Sequence, residues 1–356
     1  MSMDPSRYDV VIVGGGAAGL SAATTLGRSL RSVLVIDSGT PRNAPAAGIH
    51  GYLSRDGVSP GELLSIGRSE VLSYRGMVID GEAVSARRTP DGFEVILGDA
   101  RRFSGRRLLV TTGLTDGLPP IDGLREQWGK GVVHCPYCHG WEIRGKRIGV
   151  LGTGPLSVHQ ALLFRQWSRD ITLFLNDTVE PIDEEWDKLA ARSVTVVDGA
   201  VASVNAVDDV LTGLTLRQGS SFDLQALAVG TRMEARSTLL ESLGLSTQVH
   251  PSGAGRFIET DAMGGATAVQ GVYAAGNVSN LMAQVITAAA EGVMTGARIN
   301  ADLIEEETRW AVEGRSGPFS AASEATVSRS IQGLRRHGLD DGQTATEMAP
   351  AATGER

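Results

Sequence analysis

The sequence predicts an α/β protein with two Rossmann-like dinucleotide-binding domains, and three observations carry that expectation. A β-branched run, Tyr8 to Val13, ends in the turn Gly14-Gly15-Gly16-Ala17-Ala18-Gly19 and an alanine-rich helical stretch to about Leu30. A second copy follows later: Arg147 to Leu151, then Gly152-Thr153-Gly154-Pro155-Leu156-Ser157, then a helix to about Trp167. Between the copies stand the only two cysteines of the chain, in His134-Cys135-Pro136-Tyr137-Cys138-His139-Gly140-Trp141-Glu142.

The first copy is complete. Gly14 permits the tight turn, Gly16 lets backbone approach a pyrophosphate, and Gly19 lets helix pack on strand, while the helix N-terminus opposes phosphate charge. A second strand, Ser32 to Ile36, delivers Asp37 where an acid binds the ribose hydroxyls of an adenine dinucleotide. After the rigid loop Pro41-Arg42-Asn43-Ala44-Pro45 and His50-Gly51-Tyr52, Ser59 caps a helix with Glu62 at the capping-box position. Residues 78–110 read as short strands with turns at Thr89-Pro90-Asp91-Gly92 and Ser104-Gly105, and Leu108 to Gly113 as a separate buried strand with a glycine end. Pro119-Pro120-Ile121-Asp122-Gly123 is the crossover into a second domain.

The second copy departs from the pattern, because Ser157 stands at the third glycine position. Its next strand, Ile171 to Leu175, ends in Asn176-Asp177 with no arginine in the following turn, so a 2′-phosphate has no partner and Asp177 reads as a solvated loop acid. Strands and turns fill residues 194–229, and Leu227 to Thr231 closes this unit. The chain then returns to the first domain with Gly271 to Asn277 and a helix from Gln284 to about Glu306. From Gly314 onward the composition is that of a flexible tail, with one short helix around Ser328 to His337. The expected divisions are 1–118 and 246–312 for the first domain, 119–245 for the second, and 313–356 for the tail.

Two thiols at C-x-x-C spacing close a small ring, and such pairs lower the thiolate pKa and exchange quickly, which points to a redox disulfide. Zinc would need further Cys or His ligands in a second cluster, and the chain has no other cysteine. The chain has 356 residues and a net charge of -8, with no basic run, which argues against nucleic acid or an anionic membrane as partner. No apolar run approaches the ~18 residues of a membrane span and no signal-peptide core follows the N-terminus, so a soluble, cytoplasmic protein is expected. Paired cysteines alone fit a reducing compartment in which the disulfide is catalytic.

The order of parts over about residues 8 to 310 resembles the low-molecular-weight thioredoxin reductases: glycine motif, Thr111-Thr112-Gly113, C-x-x-C, second glycine motif, Gly271-Val272-Tyr273-Ala274-Ala275-Gly276-Asn277 and Ala283-Gln284-Val285-Ile286-Thr287. The resemblance implies that the first unit binds FAD with Gly14, Gly16, Ala17, Ala18, Gly19 and Asp37. It gives Gly276 and Asn277 the ribityl and pyrophosphate, and the backbone of Gln284, Val285 and Ile286 the pyrimidine edge. Arg42, Asn43, His50, Val84 and Thr112 complete the expected cofactor set, with no metal. Asn277 replaces the family's aspartate, and an amide still bonds a ribityl hydroxyl.

Thioredoxin reductases carry an aspartate directly after the second cysteine and an H-R-R-type basic set for NADPH; here His139 and Leu175-Asn176-Asp177 stand instead. The segment C-P-Y-C-H-G-W-E is similar to the flavin-dependent dithiol oxidases of the gliotoxin, holomycin and romidepsin pathways. That resemblance implies a homodimeric enzyme that closes a disulfide in a small-molecule dithiol and passes the electrons to O2, giving hydrogen peroxide. Cys135 is then the exchange residue, Cys138 the sulfur against the flavin, and His139 the base. An imidazole of pKa ~6.5 takes a proton from a thiol of pKa ~8.5 far better than a carboxylate of pKa ~3.9. His134 and His50 are weaker candidates for the base. Two alternatives stay open at this point: an NAD(P)H- or ferredoxin-dependent thioredoxin reductase, and a redox-sensing flavin-binding protein.

Overall fold

A computed structural model describes residues 7–313 together with residues 327, 335–336 and 339–340. The first part of the chain runs β1 (Arg7–Val13), α1 (Ala17–Arg28), β2 (Val33–Asp37), α2 (Pro60–Ser73), β3 (Met77–Asp80), β4 (Ala83–Thr89), β5 (Gly92–Leu97), β6 (Arg102–Val110) and β7 (Leu114–Gly117). It continues as β8 (Val132–Val133), α3 (Pro136–His139), β9 (Ile148–Leu151), α4 (Ser157–Phe164), β10 (Ile171–Phe174), α5 (Asp183–Ala191) and β11 (Thr195–Val197). Then come β12 (Val201–Val207), β13 (Val210–Leu216), β14 (Ser221–Asp223), β15 (Ala226–Val229), β16 (Arg232–Ala235), α6 (Thr238–Glu241), β17 (Gln248–Val249), β18 (Gly255–Phe257), β19 (Val272–Ala274) and α7 (Val285–Glu313).

The first sheet has the order β3-β2-β1-β6-β5-β4, with β19 also on β6. Its central strands β3, β2, β1, β6 and β19 are parallel. Buried on both faces, they read as continuous apolar runs, as Val10 to Val13 and Val33 to Ile36 do. The expected turn at Ser104-Gly105 is absent. One long strand spans Arg102–Val110, its first half pairing with β5 and its second with β19. Gly105 lies within it because a Cβ there would meet Val11 Cγ2 at 2.9 Å, so the glycine serves close packing rather than a turn.

The second sheet, β11-β10-β9-β15-β8, is parallel throughout. The period of two splits its side chains between two cores. Ile148, Val150, Leu173 and Ala228 pack toward α4 with Val158, Ala161 and Phe164, whereas Leu151, Phe174, Leu227 and Val229 pack toward β12 and β13 with Val204, Leu211 and Leu214. Helix α5, unanticipated in the sequence, starts where Glu185 bonds the Ile182 N–H and three acids occupy its first turn. A further sheet, β17-β18-β16-β7, joins strands from both sides of this region.

Packing divides the chain into Met1–Ala301 and Asp302–Arg356. The first unit holds everything described below. In the second, Arg335–Arg336 pairs antiparallel with Leu339–Asp340, so the end of the helix expected at Ser328 to His337 is a strand; the rest of that stretch lies outside the described residues. Helix α7 runs to Glu313 rather than Glu306. No described helix is long and apolar enough to cross a membrane.

Candidate active site

The first glycine turn is tightly packed on one side and open to a cavity on the other. Gly14 has φ +112°, and a Cβ on it would meet the Thr111 carbonyl oxygen at 2.3 Å; one on Gly19 would meet the Gly14 oxygen at 1.9 Å. Both must be glycine for the fold itself. Gly16 differs, because a Cβ there would meet nothing within 4 Å. Its open side is the wall of a cavity of about 1740 Å³. Asp37, at the end of β2, is held in place by Arg68, which also bonds Asp80 at 3.0 Å, and accepts from the Gly39 N–H at 3.2 Å. A carboxylate with two bonds keeps acceptor sites for ribose hydroxyls.

The same cavity is lined by both cysteines. Of the residues expected at the site, Gly14, Gly16, Ala17, Ala18, Asp37, Arg42, Asn43, His50, Thr112, Cys135, Cys138, His139, Gly276, Asn277, Gln284 and Val285 line it. Three do not. Val84 lies off the wall, its place taken by Gly81, Glu82 and Ala83; Ile286 sits beyond Val285 and is partly exposed; Gly19 packs against the turn. Thr112 donates to the Arg236 carbonyl at 2.7 Å, and the Asn277 amide nitrogen donates to the carbonyls of Asn280 and Ala283 at 3.0 and 2.9 Å. The Asn277 Oδ1 thus stays available as an acceptor.

The cysteines flank the start of α3, with both thiols free. The Cys138 thiol bonds the Cys135 sulfur and, against the opposing effect of burial, the backbone N–H groups of Cys138 and Tyr137 and the Arg42 charge pull the Cys135 pKa down to about 7. Cys138, donating that bond and buried, is pushed up. A reduced pair of this kind gives up its first proton from Cys135 around neutral pH and keeps the second on Cys138. Behind α3, Trp167 fills the space a Gly140 side chain would need, with Cε2 at 2.7 Å, and Tyr137 meets the Trp167 ring edge-on at 5.7 Å.

Three histidines, His50, His134 and His139, line the cavity together with the two cysteines. His134 Nδ1 bonds the Val229 carbonyl at 3.0 Å, so that nitrogen carries the proton and Nε2 is left with a lone pair. Burial lowers the pKa of His134, as it does that of His139, whose Nδ1 is buried without a hydrogen-bond partner; Glu142 raises the latter in opposition. Both are neutral at pH 7. Arg42 forks onto Asp116, and Asp116 also accepts from the Thr231 hydroxyl at 2.6 Å. Sequence reasoning missed Asp116 and Thr231 as neighbours of the site, since no local motif marks them, and gave no role to Glu142, although it closes the cysteine segment.

In the second unit the turn after β9 is closed on itself. The buried Ser157 hydroxyl accepts from the N–H groups of Thr153 and Gly154 at 3.0 and 3.3 Å. Pro155 has no N–H to offer. Asn176 is likewise internal, donating to the Gly152 carbonyl at 3.1 Å and accepting from the Val201 N–H at 2.8 Å. Among the described residues no group of three or more His, Cys, Asp or Glu could hold a metal ion.

A family model, pyridine nucleotide-disulphide oxidoreductase, matches residues 8–292. The chain belongs to that family. This oxidoreductase is thioredoxin reductase-like, and the family is flavin-dependent. It is 31% identical to the thioredoxin reductase tcpT of Claviceps purpurea (strain 20.1), over 84% of this chain and 95% of that protein. It is 29% identical to the thioredoxin reductase sirT of Leptosphaeria maculans, over the same shares. The crystal structure of HlmI superposes with a TM-score of 0.81 at 41% identity, covering 91% of this chain and 98% of HlmI. The resemblance to thioredoxin reductases drawn from the sequence is borne out.

Proposed function

We propose that this oxidoreductase is an FAD-dependent dithiol oxidase that closes a disulfide in a small molecule and uses O2 as electron acceptor. The observation that carries the reading is Ser157: it occupies the two amides that a dinucleotide pyrophosphate would need at the second turn. No arginine stands in the turn after Ile171–Phe174 either, which leaves an NADPH 2′-phosphate without a partner there and supports an acceptor other than NADPH.

The residues around the first turn fit FAD: open space above Gly16, Asp37 held for ribose, and Gly276 at φ +77° beside Asn277. Bound FAD supplies a two-electron store between the sulfurs and O2, which leaves as hydrogen peroxide. The protein's own part is thiol chemistry. A substrate thiol gives its proton to neutral His139, and the thiolate attacks Cys135 of the Cys135–Cys138 disulfide, releasing Cys138 as thiolate. The second substrate thiol, deprotonated in turn, attacks the first substrate sulfur and releases Cys135. Two protons and two electrons have left the substrate. Oxygen uptake with reduced small dithiols, at full rate without any pyridine nucleotide, is the expected result; reduced enzyme that air fails to reoxidise would refute it.

The names of tcpT and sirT favour a second reading, a thioredoxin reductase. Under that reading NADPH or NADH bleaches the flavin on rapid mixing.

A further inference from the structure

We propose that the second glycine turn, with Leu156 at its tip, forms together with Tyr137 an apolar shelf that holds the body of the substrate, so that the site selects uncharged dithiols with an apolar body. The inference rests on the dithiol oxidase reading and adds what that site recognises besides sulfur.

The turn stands beside the cysteine segment through a short chain of contacts. His134, next to Cys135, is tied on two sides: its Nδ1 bonds the Val229 carbonyl, and its own carbonyl accepts from Gln160 Nε2 at 3.1 Å. Gly230, which follows Val229, faces the turn, since a Cβ on it would meet Thr153 Oγ1 at 2.8 Å and Gln160 Oε1 at 3.7 Å. Pro155, Leu156 and Leu163 accordingly line the same cavity as Cys135 and Tyr137.

The chemistry of this wall is apolar. No Asp, Glu, Lys or Arg occurs from Thr153 to Leu163, and the amides of Thr153 and Gly154 are spent on Ser157. Leu156 is 46% exposed and, among the described residues, belongs to neither apolar core of this unit. Tyr137 is 65% exposed, and the edge-on contact with Trp167 fixes its ring between the two cysteines. Apolar surface of this kind beside a reactive group gains by covering an apolar ligand, whereas a charged one would lose its hydration there without a partner.

The test compares two reduced dithiols that close disulfide rings of the same size, dithiothreitol and o-xylene-α,α′-dithiol, by oxygen uptake with the full-length holoenzyme. Leu156→Asn is expected to lower the ratio of kcat/KM for the aromatic dithiol over dithiothreitol by about fivefold, the loss lying in KM, and Leu156→Met to keep the wild-type ratio. Asn suits a helix N-cap, the place Leu156 holds before α4, so the variant keeps its fold. A second arm needs no turnover. The sulfur-free o-xylene-α,α′-diol should slow iodoacetamide alkylation of Cys135 in the reduced wild type, read by mass spectrometry, and should not do so in Leu156→Asn. Equal ratios in wild type and Leu156→Asn, or a diol that protects both proteins alike or neither, would overturn the shelf. Wild-type enzyme that oxidises neither dithiol would instead remove the oxidase reading beneath it, and the alkylation arm would still decide the shelf.

Discussion

The guanidinium of Arg42 forks onto the carboxylate of Asp116, with Nε and Nη2 at 2.6 and 2.7 Å from its two oxygens. Two of the three nitrogens of a residue expected to bind cofactor are therefore committed to the protein. Asp116 is almost fully buried, its side chain 6% exposed, yet Arg42 and Thr231 hold its pKa below the ordinary carboxylate value against the desolvation that raises it. Removing one partner of such a pair strands a buried charge. Arg42→Met is expected to lower stability by about 3–5 kcal/mol in denaturant unfolding. A depressed carboxylate stabilises above its unfolded pKa and ceases to as pH falls through the folded value. The wild type should thus resist acid to a lower pH than Arg42→Met, read as the unfolding midpoint on acid titration.

Alkylation of the reduced enzyme reports the sulfur pair directly. Half-maximal reactivity of Cys135 is expected near its pKa of about 7. Cys138→Ala deletes the thiol donor that contributes most to this lowering, so the midpoint should rise toward the ordinary thiol value of about 8.5. An unchanged midpoint would mean that the thiol–thiol bond does not set the acidity of Cys135.

Two glycines of one turn separate folding from cofactor binding. Gly16→Val adds atoms only to the open cavity, so the variant is expected to keep its secondary structure by circular dichroism and to purify without flavin colour. Gly14→Ala, with φ +112° and a carbonyl oxygen 2.3 Å from the new carbon, should lose stability as well. A yellow Gly16→Val protein would contradict this location for the cofactor.

Gly140 keeps the cysteine helix seated. Its added Cβ would meet the Pro136 oxygen at 2.5 Å and the Trp167 ring at 2.7 Å. Gly140→Ala is expected to cost about 1–3 kcal/mol, as overpacking does, and to shift tryptophan fluorescence as the Trp167 ring moves. The rate of thiol–disulfide exchange at Cys135 should fall with it, because the backbone of α3 sets the direction of both sulfurs.

Local chemistry is carried by residues that are neighbours in the chain. The two glycine turns, Asp37 at a strand end, the C-x-x-C pair and the intruding Ser157 were all legible, since a turn, a helix start and a small sulfur ring are formed by residues adjacent in the chain. Ser104-Gly105 misled because a glycine serving strand-to-strand packing looks the same as one serving a turn; only the partner strand distinguishes them, as Val11 does here. Tertiary structure alone decided that Arg42 meets Asp116 74 residues away, that Asp116 meets Thr231 115 residues away, and that His50 faces Glu142. These pairs join loops and strand ends far apart in the chain, and their geometry depends on the elements folded between them, so no short stretch of sequence encodes it.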